Sequence, residues 1–277
     1  MIRPLGAAIG CMLFGAVMVG PVGGPTMVRA SLAHAPLEAT SSVHFANPGH
    51  GKKPANGTQG SLDWAGYAVT GPVYSNVSGS WTEPAASCTA NKVEQAAFWV
   101  GIDGYSTTNT VEQIGTDSDC TKGKGKKAGG PNYYAWYQMF PLSDVVLSQS
   151  LYPVAPGDSI AARVSVAGST YTLTITDGSK WHFSTTQTPL VAPPNSSAEW
   201  IAEAPSSCNG TKCKVLPLAN FGSITFTGAS ANGQAISWSG FTNYQINMTN
   251  KSGKKTKAQP SALGSGGTAF SVAWKSN

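Results

Sequence analysis

Tyr171-Thr-Leu-Thr-Ile175, then Thr176-Asp-Gly-Ser-Lys180, then Trp181-His-Phe183: apolar residues alternate with polar ones on both sides of an Asp-Gly turn signal. That pattern reads as a β-hairpin with one face buried. Working outward, Ile160, Ala162, Val164 and Val166 alternate just upstream, and Ile224 and Phe226 do so downstream. These runs read as consecutive antiparallel strands. From Leu62 onward the same texture continues, short alternating runs broken by Gly, Pro, Asn and Ser, and no stretch keeps a helical period. The expected class is all-β, an antiparallel β-sandwich or barrel. A loop is expected from Lys251 to Gly267, before a last strand near Ala269 to Trp274.

Ahead of this texture the chain reads differently. Met1-Ile-Arg3, the apolar stretch Leu5 to Val19 and small residues ending at Ala30 have the layout of a secretory signal. The apolar stretch is shorter than the roughly 20 residues a membrane span needs, so export without stable membrane association is expected. Residues 31–60, rich in Ala, Ser, Pro, Gly and His without periodicity, read as a propeptide or flexible leader, and 61–277 as a single catalytic domain. Cys88, Cys120, Cys208 and Cys213 are an even number in a chain bound for an oxidising compartment, so disulfides are expected. The short Cys208–Cys213 spacing favours a local bridge, which leaves Cys88 to Cys120. No histidine and no ligand spacing near them suggests a metal, and none is expected.

Charged residues make up 11% of the chain, well below the roughly 25% of ordinary soluble domains. Such a surface changes little on acidification. The net charge of +5 comes largely from Lys122 to Lys127 and Lys251 to Lys257, in glycine-rich, polar surroundings with no interleaved aromatics. They read as solvated loops, and no nucleic-acid partner is expected.

The chemistry narrows by elimination. The sequence contains no His-Glu-x-x-His, no Gly-x-Ser-x-Gly elbow, no Asp-Thr/Ser-Gly and no phosphate-cradling glycine loop. His34, His44 and His50 lie in the leader, so His182, in a hairpin strand, is the only histidine the mature domain would keep. What remains are polar residues in aromatic strand-like runs: Trp99-Val-Gly-Ile-Asp103, Val111-Glu-Gln-Ile-Gly115, Tyr134-Ala-Trp-Tyr-Gln138 and Ala198-Glu-Trp-Ile-Ala-Glu203. If these four runs are neighbours, Gln113 and Glu203 put one amide and one carboxylate on a tryptophan-lined sheet. Glu199 and Glu203 share a face, but at ~3.3 Å per residue they stand about 13 Å apart, too far for a glycosidase pair. Either could still pair with Asp103 or Asp117 from another strand.

These segments, with Asp117, Pro141, Pro156-Gly-Asp-Ser159, Cys208 to Cys213 and Ala219-Asn-Phe-Gly-Ser223, resemble in order the glutamic peptidases, or eqolisins, which are secreted acid endopeptidases. The resemblance runs from about Trp64 to Phe226. It implies a lectin-like (concanavalin-like) sandwich of two large antiparallel sheets, with Gln113 and Glu203 as the catalytic pair on a concave face. It implies Glu203 as general base and then acid on a water, and Gln113 as oxyanion donor, acting without cofactor or metal. The substrates would be polypeptides, the product a secreted protein, and the state a monomer. Trp99, Asp103, Asp117, Trp136, Gln138 and Phe140 match the substrate-lining positions. For Asp103 and Asp117 a turn-capping role stands beside substrate contact. Two departures stand out: Gln138 replaces a common acidic residue and Phe140 a usual tyrosine. The rival expectations are a non-catalytic carbohydrate-binding β-sandwich and a glycoside hydrolase.

Overall fold

A computed structural model describes residues 32–33, 57–105, 110–123, 129–209, 212–264 and 266–277. Its strands, in chain order, are β1 (Leu32–Ala33), β2 (Gly57–Ser61), β3 (Trp64–Thr70), β4 (Asn76–Thr82), β5 (Glu94–Ile102), β6 (Val111–Cys120), β7 (Pro131–Phe140) and β8 (Val145–Val146). They continue with β9 (Ser159–Ala167), β10 (Thr170–Asp177), β11 (Trp181–Gln187), β12 (Ser197–Glu203), β13 (Ser206–Asn209) and β14 (Lys212–Val215). The last are β15 (Ser223–Ala231), β16 (Gln234–Ala235), β17 (Thr242–Thr249), β18 (Thr256–Pro260) and β19 (Phe270–Trp274). Among the described residues there is no helix. The all-β sandwich expected from the alternation is the fold observed.

The hairpin that opened the reading is β10 on β11, with Tyr171 opposite Gln187 and Asp177 opposite Trp181. Its turn is closed by the Lys180 N–H donating to the Asp177 carbonyl at 2.8 Å. Beside it run β9 and β4, and together with β15 they form the smaller layer, in the order β11-β10-β9-β4-β15. The larger layer runs β19-β18-β17-β3-β12-β5-β6-β7-β8. One strand belongs to both: β15 pairs with β19 through Ser223–Phe226 and with β4 from Thr227 onward, its register shifting between Thr227 and Ser230. A shift of this kind lets a strand bend from one layer into the other, which is how sandwich corners are made.

The core lies between the layers. Phe98, Val100, Ile102, Ile114 and Trp200 point inward from the larger layer, and Val77, Trp81, Ile160, Val164, Leu173 and Ile175 meet them from the smaller. Their burial removes the apolar face of every alternating strand from water and supplies most of the driving force, at about 25 cal/mol per Å². Indoles buried here still need hydrogen-bond acceptors. Trp200 donates to the Ser78 carbonyl at 2.7 Å, and Trp81 to the Thr116 hydroxyl at 3.1 Å.

Several expectations change against this frame. The stretch read as one loop from Lys251 to Gly267 contains β18, paired with β17 and β19. Its sequence, Thr-Lys-Ala-Gln-Pro, buries only Ala258 and Pro260, the second a residue that argues against a strand, so the pattern is too faint to see without neighbours. Strand β2 straddles the boundary drawn between leader and domain, running parallel to β17 from Gly57 opposite Tyr244. Cys88 and Cys120 form the expected disulfide. Cys208 stands directly opposite Cys213 in β13–β14, while their side chains lie outside the described residues, as do the signal segment and residues 34–56.

Candidate active site

The site is built on the outer face of the larger layer, the face turned away from the core. Side chains on a strand alternate, so β5 presents Ala97, Trp99 and Gly101 outward, β6 presents Gln113, Gly115 and Asp117, β7 presents Tyr134, Trp136 and Gln138, and β12 presents Glu199, Ile201 and Glu203. Register then lines these up in three rows. Trp64, Glu203, Ala97, Asp117 and Tyr134 form one. Gly66, Ile201, Trp99, Gly115 and Trp136 form the next, and Ala68, Glu199, Gly101, Gln113 and Gln138 the third. A second aromatic cluster, including Trp64, Trp99, Tyr134 and Trp136 with Phe140 at its edge, fills this face. Both Gln113 and Glu203 therefore stand on one face, as the sequence reading required. Both are fully buried in the full-length chain.

By register the pair is offset by two strands and four residues, about 10 Å across and about 13 Å along the sheet. The Trp99 indole lies in that gap. Its Nε1–H donates to Glu203 Oε2 at 2.7 Å, and it meets Trp64 edge-on at 4.9 Å. Its far edge reaches Gly101: a β-carbon there would stand 2.9 Å from Trp99 Cζ3 and 3.2 Å from Gln113 Cβ. A single ring thus touches the carboxylate at one end and the neighbourhood of the amide at the other. Gly115 permits this packing, since a β-carbon on it would fall 2.1 Å from the Phe98 carbonyl oxygen and 2.6 Å from Trp99 Cβ.

Hydrogen bonds orient the amide. Gln113 Nε2 donates to Gln138 Oε1 at 2.9 Å, and Gln138 Nε2 donates to the Leu142 carbonyl at 2.8 Å. This relay fixes which end of the Gln113 amide is nitrogen and occupies one of its two N–H groups. Gln138, expected to line the substrate site, is therefore also what sets the orientation of Gln113. Asp103 caps a turn. Its carboxylate accepts from the backbone N–H groups of Asn195 and Ser196, at 2.8 and 2.7 Å, and from the Ser196 hydroxyl at 3.0 Å. Of the two roles left open for it, turn capping is the one observed: it clamps the approach to β12.

Asp117 keeps the outward position expected of it but shares a tyrosine. The Tyr134 hydroxyl lies 2.9 Å from Asp117 Oδ2 and 2.8 Å from Asp119 Oδ2. Burial, and then the charge of Asp119, push the Asp117 carboxyl well above its ordinary range. Burial likewise raises Glu203, against the pull of the Trp99 and Trp64 indoles, which lower it. Tyr134 and Asp119 were not singled out from sequence, although period-two spacing from Trp136 and Asp117 marks both. Trp136 and Phe140 line the face as expected.

The fold and face define a β-sandwich with an amide and an acid at the two ends of a tryptophan plate. The family model for the Peptidase A4 family matches residues 62–272, and the chain belongs to that family, the one its sequence resembled. Aspergillopepsin-2 of Aspergillus niger is 29% identical over 193 residues, covering 62% of this chain and 64% of that one. Scytalidopepsin B of Scytalidium lignicola is 29% identical over 184 residues, 63% of this chain and 66% of that one. The match spans just under two thirds of each of these relatives. Among solved structures, scytalido-glutamic peptidase with a transition state analog inhibitor aligns at a TM-score of 0.63, with 22% identity over 77% of this chain and 98% of that one. Aspergilloglutamic peptidase from Aspergillus niger aligns at 0.52, with 23% identity over 66% of this chain and 99% of that one. At these identities the structural likeness speaks for the fold.

Proposed function

We propose that this chain is a secreted, monomeric endopeptidase that cleaves polypeptides in acid, with Glu203 and Gln113 as its catalytic pair. The observation that carries the reading is their placement on one face at the two ends of the Trp99 indole, with the acid held by the indole N–H. Ionised Glu203 takes a proton from a water lying over the indole, and the resulting hydroxide attacks the scissile carbonyl carbon. Gln113 donates an amide N–H to the developing oxyanion. Glu203 then passes its proton to the leaving amine, so the carboxylate is regenerated as the C–N bond breaks. An amide keeps its donors at any pH, and an unperturbed Glu ionises near about pH 4.3, so the pair can work where a histidine base would be protonated.

Substrate has to reach a face that is kept out of water. Loss of the leader expected from the sequence is the step we assign to activation. Rehydration then relieves the burial that holds Glu203 protonated, and the carboxylate becomes available as a base. The reading is tested by incubating the secreted full chain in acid with a denatured protein, with pepstatin present. Cleavage that tolerates pepstatin, follows loss of the leader and falls at least about a thousandfold in Glu203→Gln supports it. Full activity in that variant refutes it.

A second reading keeps one observation on its side: Glu203 and Asp117 share a register row with only Ala97 between them, a spacing of about 10 Å near the upper limit for an inverting glycosidase. Release of reducing sugar from soluble glycans by the same preparation would favour it over peptide hydrolysis.

A further inference from the structure

Glu199 is an acid that the proposed mechanism leaves unused. It sits on β12 one outward position before Ile201, fully buried, and neither carboxyl oxygen has a hydrogen-bond partner among the described residues. Ser197, the next outward residue on the same strand, is also buried with its hydroxyl unpartnered. The Ser197 hydroxyl and the Tyr105 backbone N–H lie near enough to favour the ionised form of Glu199, but neither closes a hydrogen bond of ordinary geometry to it. Leaving a buried carboxyl unpaired costs several kcal/mol, whereas a leucine or methionine of similar volume would cost nothing of the kind. Packing alone gives no reason for an acid here.

Position supplies one. Glu199 stands directly opposite Gly101 on β5, and Gly101 directly opposite Gln113 on β6. Between the acid and the catalytic amide β5 carries no side chain of its own in this row, and the far edge of the Trp99 indole covers the glycine. Residues two apart on a strand are separated by about 6.7 Å, the same repeat at which an extended peptide presents its main-chain groups along one edge. We propose that Glu199 and Ser197 are substrate-binding residues, hydrogen-bonding the main chain of an extended peptide that runs past the Trp99 edge toward Gln113. This rests on the peptidase reading above and names the part of the site that holds the substrate away from the scissile bond.

The groups around Glu199 set how it binds. The Asp103 carboxyl after β5, Glu112 on β6, and the phenols of Tyr74 and Tyr105 all sense its charge. Burial first, then Asp103 and Glu112, push its carboxyl well above the usual range. In acid Glu199 therefore offers an O–H to a peptide carbonyl, a donor that ionisation removes.

The test is steady-state kinetics on a peptide substrate, from about pH 3 to about pH 7, for the acid-processed wild type, Glu199→Ala and Glu199→Gln, with thermal midpoints for all three. Glu199→Ala is expected to raise KM about tenfold or more while kcat stays within about twofold, as uniform binding loss does. Glu199→Gln, which keeps a neutral donor at every pH, is expected to hold the wild-type KM in acid and to lose the wild-type rise in KM toward neutral pH. If Glu199→Ala does not fold, Glu199→Gln decides alone. An unchanged KM in Glu199→Ala, a fall in kcat without a change in KM, or a Glu199→Gln profile that copies the wild type would each overturn the assignment. A wild type inactive on peptides would remove the peptidase reading itself and this assignment with it, whereas an active wild type with an indifferent Glu199 removes the assignment only.

Discussion

Buried acids lie against both faces of the larger layer, and the two sets differ in their surroundings. Against the inner face Glu83, which follows β4 of the smaller layer, is met by Thr116 Oγ1 at 2.6 Å, Ser118 Oγ at 2.8 Å and the Trp81 indole at 3.4 Å. Glu112, also inward, is fully buried with both oxygens unpartnered among the described residues. On the outer face Glu203 is held by an indole that leads toward an oriented amide, and Glu199 stands opposite Gly101, which the far edge of that indole covers. Burial and a raised pKa are common to all four, so neither marks function. What separates the faces is the company: the inner acids sit under a closed second layer, and the outer ones lie in register with an amide, glycines and tryptophans.

The largest effect should fall on the outer face. Gln113→Ala should lower kcat by about 10² to 10³, with little change in thermal midpoint, because the loss is of a transition-state donor. Glu83→Gln on the inner face should leave kcat close to wild type. If the two variants behaved alike, the division between faces would fail.

The inner acids should show in the pH dependence of stability, beside the outer ones whose carboxyls burial also raises. Burial raises Glu83 to about 7, against the pull of its hydrogen bonds to Thr116, Ser118 and Trp81, and raises Glu112 to about 9, the Asp103 charge adding to the latter. For these acids the folded state binds the proton that the unfolded chain releases near 4.5. Their contribution is therefore fully present below about pH 4.5 and is lost as pH rises toward 7 for Glu83 and toward 9 for Glu112. Each pH unit within a group's window costs about 1.4 kcal/mol. Calorimetric midpoints should fall from acid to neutral pH, and Glu112→Gln should flatten the fall without touching kcat in acid. A rising midpoint over that range would contradict the assignment.

Smaller effects sharpen the picture. Trp99→Phe keeps the ring over Gly101 but removes the donor to Glu203, a charge-assisted bond worth about 1.5 to 3 kcal/mol. Its kcat should drop by about tenfold to a hundredfold, with the acid limb of the rate profile displaced upward as Glu203 loses a group that favours its ionised form. Asp103→Asn should lower stability by about 1 to 3 kcal/mol, since one of its two acceptor oxygens becomes a donor facing the N–H groups of Asn195 or Ser196. If instead KM alone changed, the substrate-contact role first expected of Asp103 would return.

Much of this was legible in the chain. The β10–β11 hairpin announced itself because its polar–apolar alternation and Asp-Gly turn are local properties, and the four aromatic runs proved to be strands for the same reason. Strand β18 is not legible, because a strand that buries one alanine and one proline is held by its neighbours' backbone and leaves no clear pattern of its own. Alternation puts Glu199 on the face of Glu203 and leaves Asp103 or Asp117 as its partners, whereas its place opposite Gly101 is set by the register of β12 on β5. The roles of Asp103 and Gln138 could not be read locally, since their partners lie 92 and 25 residues away.

What the sequence determined by itself was periodicity and chemistry: which residues alternate, which face each shares within a strand, the lack of a histidine-based machinery, and the ordered resemblance that proved to be family membership. Only the tertiary structure decided register, that Glu203 lies in line with Asp117 and Glu199 in line with Gln113, and that Trp99 spans the diagonal between the proposed pair. Alternation is fixed by the backbone of one strand and survives in the one-dimensional text. Register is fixed by pairing between segments that can lie well over a hundred residues apart, as Glu203 opposite Trp64 does, where sliding by one position turns every side chain to the other face, and that choice is made by the packing of the whole sandwich.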